Sequence, residues 1–317
     1  LTPGNSRCTG STMRFAAAGT NKFSLPRFEG VEIVDSHLHV WSPIYPYARG
    51  KQPPPDLGGD VASVEAYREV MRENGISKAV VVQPINYEFD HRYLEEQVHA
   101  EFSESMKLML LADPERGVFQ LDSCPEGVYS GVRFNPYLKD GWLGSEVAAE
   151  MFARCGALGL PVGVMCFKGL HHHMDELEML LKTSVETKLI IDHWGFFRAD
   201  AGAPPSSELL PNEDAFDALL QLGRKHSGRV YVKLSAMFRV SSDGMPYKDL
   251  KPRLQKLLGV FTADQLMYGS DFPFTQQAGG YQSNLQAFHD LLDGCADEQV
   301  AAIMGGTACK LFFETAS

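Results

Sequence analysis

Short apolar, strand-forming segments alternate with stretches of helical periodicity, and this alternation is repeated eight times from Val31 onward. Some apolar segments, such as Ala79–Val82 and Leu108–Ala112, are almost uninterrupted, as expected for parallel strands covered on both faces. Repeated βα units build a parallel sheet, and eight units in roughly 285 residues match a (β/α)8 barrel. We predict strands at residues 31–35, 78–83, 107–112, 129–134, 161–166, 188–192, 230–235 and 266–270.

The stretches between the predicted strands have apolar residues three or four positions apart, which is typical of helices with one buried face. Ser145 is suited to be the N-cap of one helix. The stretch after the third strand, Pro114–Ser123, is short and runs into a turn. We expect a single barrel domain of residues 29–317, with the apolar faces of the helices packed on the barrel. These apolar faces include Val64, Met71, Leu94, Val98, Met151, Cys155, Phe216, Leu219, Leu250, Leu254, Leu285 and Phe288.

The composition excludes several classes of partner. With 44% apolar residues among 317 and no segment near the roughly 20 apolar residues that span a bilayer, the chain is predicted to be soluble, without membrane insertion. A formal charge of -11 and the lack of a basic cluster argue against binding to nucleic acid. The six cysteines form no Cys-x-x-Cys pair, so neither a structural zinc site nor a disulfide framework is expected, and a reducing compartment fits best.

The first 28 residues differ from the rest of the chain. They include Arg7, Arg14, Lys22 and Arg27 but no acidic residue, and they are rich in Ser, Thr, Gly and Ala. This composition is typical of an organelle transit peptide or its remnant, and equally of a plain disordered tail. The first interpretation predicts the plastid stroma or another organelle, and the second predicts the cytoplasm.

In a (β/α)8 barrel the chemistry lies on the loops after the carboxyl ends of the strands. His37 and His39 are separated by one residue where the first strand gives way to a loop, so their side chains point the same way. Two adjacent imidazoles can hold a metal ion or polarise a carbonyl. The other polar residues at strand ends are Gln83, Asn86, His91, Arg133, Asp192, His193, Lys233, Ser235 and Asp271.

Each of these residues also has a purely structural interpretation. One histidine of the pair can be a core residue and the other exposed, Arg133 can pair with a structural acid, and Lys233 can close the barrel floor. An active site is nevertheless favoured, because the ends of strands 1, 6 and 8 converge in a closed barrel and together carry His37, His39, His193 and Asp271.

Two further features are interpreted as structural. The triplet His171–His173 lies beyond the fifth strand and just before a predicted helix that starts at Met174, which favours a helix-start feature over a metal site. Cys166, near the end of the fifth strand, has no dedicated base beside it and is interpreted as a small buried residue, not as a nucleophile.

Four segments together resemble the amidohydrolase superfamily, specifically its amidohydrolase-related branch of dicarboxylate and sugar lactonases. They are Val34–Trp41 at the first strand, Gly131–Pro136 at the fourth, Ile191–Gly195 at the sixth and Tyr268–Pro273 at the eighth. The resemblance covers essentially the whole chain after the tail, and Val81–Asn86 and Val164–Gly169 look most like uncharacterised plant and algal members. It implies a barrel hydrolase.

Three departures from the family pattern concern the end of the fifth strand and the C-terminal region. Metal-dependent relatives usually have a ligand histidine at the end of the fifth strand, where this chain has Met165–Phe167. The bridging modified lysine of binuclear relatives has no clear counterpart, since Lys168 lies just past the strand end expected to carry it. Gly305–Ala308 stands where the family often has Gly-Asn-Ala, and we expect this change to affect packing only.

We therefore predict a hydrolase that opens a lactone, or another cyclic ester or amide, of a small polar acid. Asp271 would accept a proton from the attacking water, while His37, His39 and His193 would polarise the carbonyl. Arg133 suits a substrate carboxylate, because its planar guanidinium can bind one bidentately. Further substrate-binding candidates are Gln83, Asn86, Lys168 and Lys233, with Arg239 as a weaker one.

For cofactors, we expect either none or a single weakly bound Zn or Mn ion held by His37, His39 and Asp271, and no organic cofactor. Three protein ligands suffice for a catalytic zinc with an open position. Two alternative functions stay open: a metal-dependent decarboxylase or amidohydrolase of the same superfamily, and a catalytically silent barrel acting as a structural subunit of a larger assembly. The expected partner is a small acidic substrate, and a homo-oligomer is compatible with the sequence.

Overall fold

An eight-stranded parallel sheet, in which each strand pairs with the next along the chain, forms the centre of the fold. The computed structural model describes residues 25–198 and 212–314. The predicted (β/α)8 barrel is confirmed. The strands are β1 Val34–Leu38, β2 Lys78–Val82, β3 Met106–Leu111, β4 Tyr129–Phe134, β5 Val162–Val164, β6 Leu189–Ile191, β7 Val230–Ser235 and β8 Leu266–Gly269.

Helices alternate with the strands and cover the outside of the sheet. They are α1 Val64–Asn74, α2 Ala100–Phe102, α3 Val118–Ser123, α4 Glu146–Ala157, α5 Met174–Thr183, α6 Glu213–Lys225, α7 Met237–Val240, α8 Leu250–Leu258, α9 Phe274–Gln277, α10 Tyr281–Leu291, α11 Asp297–Ala301 and α12 Thr307–Phe312. π-Helical turns at Leu94–His99 and Ala302–Gly306 run directly into α2 and α12. As predicted, the Ser145 hydroxyl caps α4 by accepting a hydrogen bond from the backbone N–H of Ala148.

The barrel is closed between β1 and the segment that follows β8. Leu38 and Phe272 form a parallel bridge, and the backbone N–H of His39 donates to the carbonyl of Phe272 at 2.7 Å. The backbone N–H of Asp271 donates to the carbonyl of His37 at 2.8 Å. The backbone contacts that close the barrel therefore also place His37, His39 and Asp271 side by side.

A small apolar core fills the lower part of the barrel interior. Val34, Val80, Met109, Ile190 and Met267 pack there against α12. Gly131 and Gly163 leave room for Met109, because a Cβ at either glycine would lie 3.3 and 3.1 Å from the Met109 methyl group, respectively. The C-terminal helix thus closes the amino-terminal end of the barrel, and the carboxyl end is left for a site.

The segment after β3, where the sequence gives its weakest helical signal, forms a helix, α3, of six residues. Two details differ from the sequence-based expectation. β1 begins at Val34, because its pairing with β2 starts opposite Lys78, so His37 lies within the strand and not after it. Residues 25–28, assigned to the tail, pack on the barrel: Leu25 and Phe28 are buried, and the Arg27 guanidinium donates to the carbonyls of Leu292 and Cys295.

Residues 1–24, on which most of the transit-peptide prediction rests, lie outside the described part of the chain. Within residues 25–198 and 212–314, the five cysteines are free thiols. No helix in these ranges combines the length and the apolar character needed to cross a membrane.

Gly305 and Gly306 provide a matched test of the packing between the C-terminal helices and β1. A Cβ at Gly305 would be forced into the carbonyl oxygen of Glu32, which is backbone and cannot move aside. Gly305→Ala should therefore lower the free energy of unfolding by about 3 kcal/mol, at the upper end of typical overpacking costs. Urea unfolding of the variant beside the parent measures the difference.

The control is Gly306→Ala, one residue further along the same helical segment. The nearest atom to its added Cβ is the carbonyl oxygen of Ala301 at 3.4 Å, which is an ordinary contact. This variant should be neutral, or more stable by up to about 1 kcal/mol, since alanine is the better helix former. Equal effects of the two substitutions would contradict the packing argument.

Candidate active site

Three side chains from distant parts of the sequence meet at the carboxyl end of the barrel. They are His37 from β1, His193 just after β6 and Asp271 just after β8. Each side chain offers one atom that could bind a metal ion, and these three atoms lie within 4.8 Å of one another. The rings of His37 and His193 are in edge contact, with their centroids 4.5 Å apart. All three side chains are buried. The ends of β1, β6 and β8 thus meet at one point.

His39 lies beside this group. Its Nδ1 is 2.8 Å from the carbonyl oxygen of Val82. A carbonyl only accepts, so Nδ1 carries the proton and Nε2 keeps its lone pair. Nε2 lies 3.7 Å from the Asp271 Oδ1 atom. The predicted metal set of His37, His39 and Asp271 is corrected accordingly: the compact group contains His193 in place of His39, whose ring is held towards β2.

The three histidines are kept neutral by their surroundings. Burial lowers the pKa of His39 to about 3, and the charges of Arg133 and Arg239 act in the same direction. Burial also lowers the pKa of His37 and of His193 well below the ordinary value, with the neighbouring Lys233 adding to the effect at His37. Neutral imidazoles can donate or accept a hydrogen bond or bind a metal ion, but they do not supply a proton as an acid.

Asp271 is held in an unusual backbone conformation next to a cation. Its φ of 60° is in the left-handed region, which non-glycine residues adopt mainly where the surrounding structure imposes it. The Nε–H of Arg239 donates to Oδ2 at 2.7 Å. Burial raises the pKa of Asp271, while the charge of Arg239 opposes this rise. Oδ1 is thus the carboxylate oxygen that faces His39.

A second layer of charges lies around His37. Its Nδ1 is 3.2 Å from the Lys233 Nζ atom and 3.4 Å from the Asp192 Oδ1 atom. The other carboxylate oxygen of Asp192 is 3.4 Å from the Arg133 Nε atom. Burial lowers the pKa of Lys233 to about 8, so this ammonium still carries its charge at neutral pH. Two cations therefore share one carboxylate behind the histidines.

A cavity of about 410 Å³ opens beside these residues. Its polar wall contains His39, His193, Asp271, Arg133 and Arg239. The opposite walls are mostly aromatic, and the aromatic side chains that line them are Trp41, Tyr137, Phe167, Phe196 and Phe274. A small molecule with an anionic group and a flat apolar face matches this lining.

The predicted substrate-binding residues are only partly brought to the cavity. Arg133, Gln83 and Asn86 line it. The Gln83 amide donates to the carbonyls of Glu88 and Asp90, and its buried Oε1 has no partner among the described residues. The predictions for Lys168 and Lys233 need correction. Lys168 is exposed and lies over the rings of Tyr137 and Phe167, and Lys233 is fully buried beneath His37.

Sequence reasoning missed several residues of the lining. Lys51 lies in a proline-rich loop that carries no site signal, and Tyr137, Phe196 and Phe274 have no distinguishing pattern. Trp41, Asn135 and Phe167 lie within segments that resemble the family, but nothing in the sequence marks them as cavity residues. Arg239 was only a weak candidate, because it lies in a short helix, α7, and not at a strand end. The ion pair between Arg239 and Asp271 depends on tertiary placement, which periodicity does not reveal.

His91 and His173 have structural partners. The His91 ring contacts the carbonyl of Phe89 through Nδ1 and accepts from the backbone N–H of Leu111 through Nε2. His173 contacts the Tyr137 hydroxyl and Glu176, and among the described residues the triplet His171–His173 is not part of a compact ligand group. Cys166 is buried, and its burial raises the pKa of the thiol, which agrees with an inert residue.

His37, His193 and Asp271 form a possible metal-binding site. Two neutral imidazoles and a carboxylate are a donor set that suits one divalent ion of the zinc type. The buried Nε2 of His37 has no hydrogen-bond partner among the described residues, so it is not engaged elsewhere. Met165 and Cys166, at the end of β5, are not part of the group.

Fold and site together define a parallel barrel enzyme with a buried histidine–aspartate centre at the carboxyl ends of its strands. The model of the amidohydrolase family matches residues 34–313, and the chain belongs to this family of hydrolases.

Similar proteins include a lactone hydrolase and several solved barrels. The chain is 30% identical to 4-sulfomuconolactone hydrolase of Rhizobium radiobacter over an alignment of 249 residues, and this alignment covers 75% of each protein. A probable 2-pyrone-4,6-dicarboxylic acid hydrolase of Acinetobacter baumannii, solved with citric acid bound, superposes with a TM-score of 0.73 at 17% identity, over 89% of this chain and 100% of that one. An amidohydrolase of Burkholderia multivorans with bound zinc superposes with a TM-score of 0.69 at 17% identity, over 90% and 100%.

Proposed function

We propose that this protein hydrolyses a lactone, or another cyclic ester or amide, of a small polar acid. The observation that carries the proposal is a buried carboxylate, Asp271, that faces neutral histidines on the wall of a cavity lined by arginines. The relative from Rhizobium radiobacter supports the reaction class, since it is named as a hydrolase of a lactone.

In the proposed reaction, Asp271 is the general base. A water between Oδ1 of Asp271 and the Nε2 lone pair of His39 would donate one hydrogen to each, because both atoms are acceptors. Asp271 takes one proton as the water oxygen attacks the carbonyl carbon. The ring C–O or C–N bond then breaks, and the leaving atom takes that proton from Asp271. His39 positions the water, in place of the polarising role predicted from the sequence.

Polarisation of the carbonyl is then assigned to His193, which lines the cavity, with His37 in edge contact behind its ring. Both are neutral and buried, and a donor N–H held in a water-excluded site stabilises a developing oxyanion more strongly than it would in water. The His193 Nδ1 is 2.7 Å from the Ser235 hydroxyl, which fixes the ring orientation. Arg239 holds Asp271 in place through Oδ2 and leaves Oδ1 for the water.

Asp271→Asn tests the base directly. The substitution keeps the shape of the side chain and removes the proton acceptor, so turnover on any substrate found in a lactone panel should fall on the order of 10²-fold or more. Asp264→Asn, at an exposed surface carboxylate, is the control and should be as active as the parent.

The pH profile adds a second readout to this prediction. Asp271 must be ionised to act, and burial raises its pKa, so kcat/KM should be retained above that pKa and fall as the pH decreases through it. The fall should lie above the ordinary aspartate range. Parent-like turnover of Asp271→Asn at every pH would remove Asp271 from the reaction.

Arg133 is proposed to bind the acidic group of the substrate. It lines the cavity, and the carboxylate in ion-pair distance of it, Asp192, lies 3.4 Å from Nε in a geometry that makes no hydrogen bond. Arg133→Met should raise KM for an acidic lactone by the equivalent of roughly 2–4 kcal/mol and change kcat less, because such a contact stabilises ground and transition states alike. A neutral lactone of equal size should show little change.

The comparison requires an intact fold, because Arg133 also lies against the buried Asp192. A melting curve of Arg133→Met accompanies the kinetics, and Arg154→Met, on the exposed face of α4, controls for loss of one positive charge. Equal losses for acidic and neutral lactones, with a lowered melting temperature, would assign Arg133 a structural role only.

A metal-dependent hydrolase or decarboxylase is the second candidate, favoured by the compact group of His37, His193 and Asp271. When bound there, a divalent ion would polarise the carbonyl as a Lewis acid. We expect lactone hydrolysis to persist at more than half of its rate after chelation, because the site is already surrounded by Arg133, Arg239 and Lys233, whose charges disfavour a dication. Loss of activity on chelation, with recovery on adding zinc or manganese, would establish the second candidate instead.

A further inference from the structure

Lys233 occupies a position that the proposed chemistry does not yet explain. It is fully buried within the barrel, where it was predicted to bind substrate, and it does not line the cavity. Its Nζ contacts the Met109 sulfur at 3.4 Å and lies 5.8 Å from the centre of the Phe312 ring. Above these apolar contacts, Nζ lies 3.2 Å from the His37 Nδ1 atom and 3.7 Å from the Asp192 Oδ1 atom.

We propose that Lys233 is a positioning residue that fixes His37 in the tautomer with its proton on Nε2, so that Nε2 carries an N–H donor and is a poor metal ligand. Both parts of this inference concern the protein without substrate, so neither rests on the function proposed above.

The ammonium group of Lys233 has three N–H donors and no acceptor, so a ring nitrogen to which it is hydrogen-bonded must supply a lone pair. Nδ1 of His37 at 3.2 Å is therefore the unprotonated ring nitrogen, because it has to accept from Lys233. The single ring proton is then on Nε2, which is buried and has no hydrogen-bond partner among the described residues.

Asp192 is the competing influence. Its Oδ1 is 3.4 Å from the same Nδ1, and a carboxylate would favour the opposite tautomer by accepting an N–H from that nitrogen. Neither carboxylate oxygen makes a hydrogen bond of good geometry with the described residues, however, and both face cations, Lys233 at 3.7 Å and Arg133 at 3.4 Å. The shorter and better aligned contact to Nδ1 is that of Lys233.

The same contact bears on metal binding. A histidine that binds a metal normally donates its second ring N–H to a carboxylate or a carbonyl, which fixes the tautomer with a lone pair towards the ion. Lys233 imposes the reverse arrangement and adds a positive charge next to the place where a dication would bind. The compact group of His37, His193 and Asp271 is thus biased towards hydrogen bonding by a residue behind it.

The tautomer can be read without any substrate. Selective ¹⁵N labelling of the histidine rings in the wild-type protein at pH 7, with His37→Asn to assign the signal, distinguishes protonated from unprotonated ring nitrogens by NMR. We expect a protonated Nε2 and an unprotonated Nδ1 at His37. A protonated Nδ1 with an unprotonated Nε2 would overturn the inference.

Zinc binding to the chelator-treated protein provides the second arm. Lys233→Met removes the donor and its charge from beneath His37, so isothermal titration with zinc should give a dissociation constant on the order of tenfold lower than that of the parent. Lys107→Met is the control. Lys107 lies on β3, where its Nζ donates to the Ser103 carbonyl and lies over the Phe313 ring. The zinc affinity of this variant should equal that of the parent. No gain in affinity for Lys233→Met would overturn the effect on metal binding.

The NMR and zinc-binding experiments also distinguish the failure of a variant to fold from the failure of the proposed function. If Lys233→Met leaves Asp192 uncompensated and fails to fold, the NMR measurement on the wild-type protein still decides the tautomer. If no lactone is turned over but His37 carries its proton on Nε2, the proposed function is refuted while the role of Lys233 is supported.

Discussion

The buried carboxylate of Asp35 connects four parts of the fold at the point where the barrel closes. It accepts hydrogen bonds from the backbone N–H groups of Ser270 at 2.8 Å and His37 at 3.2 Å. The hydroxyls of Tyr67 in α1 and Tyr281 in α10 donate to its other oxygen at 2.9 and 3.0 Å. A carboxylate this deep is tolerated only when its oxygens are satisfied, so each donor depends on the others being in place.

The closure of the barrel around Asp35 also fixes the positions of the side chains at the candidate site. His37 follows Asp35 by two residues, and Asp271 directly follows Ser270, which donates to Asp35. The backbone N–H of Asp271 in turn donates to the carbonyl of His37, in a conformation that an aspartate rarely adopts. Asp271 and His37 are thus positioned by strand pairing, and not by flexible loops. Sites on rigid elements hold reacting groups more closely than sites on loops do.

The sequence contains most of the fold and the centre of the site, but not its surroundings. Strand-like and helical periods are local properties, so eight strands and the convergence of His37, His193 and Asp271 could be anticipated. The tautomer of His39 depends on a carbonyl of β2, and the place of Lys233 depends on which face of β7 points inwards. A parallel strand is covered on both faces, so its residues show no alternation that tells the inner face from the outer one. The sequence therefore does not show whether a lysine on such a strand lies beneath the site or beside the cavity.

The candidate site is locally positive within an acidic protein. The chain has a net charge of -11, yet Arg133, Arg239 and Lys233 surround two carboxylates at the site and leave it locally positive. In a desolvated pocket such charges both attract an acidic ligand and oppose protonation of the histidines. Because the histidines stay neutral, each ring keeps one donor and one acceptor nitrogen, and the partner of one nitrogen determines whether the other is a donor or an acceptor. The hydrogen-bonding character of this centre therefore depends on the groups behind the histidines as much as on the histidines themselves.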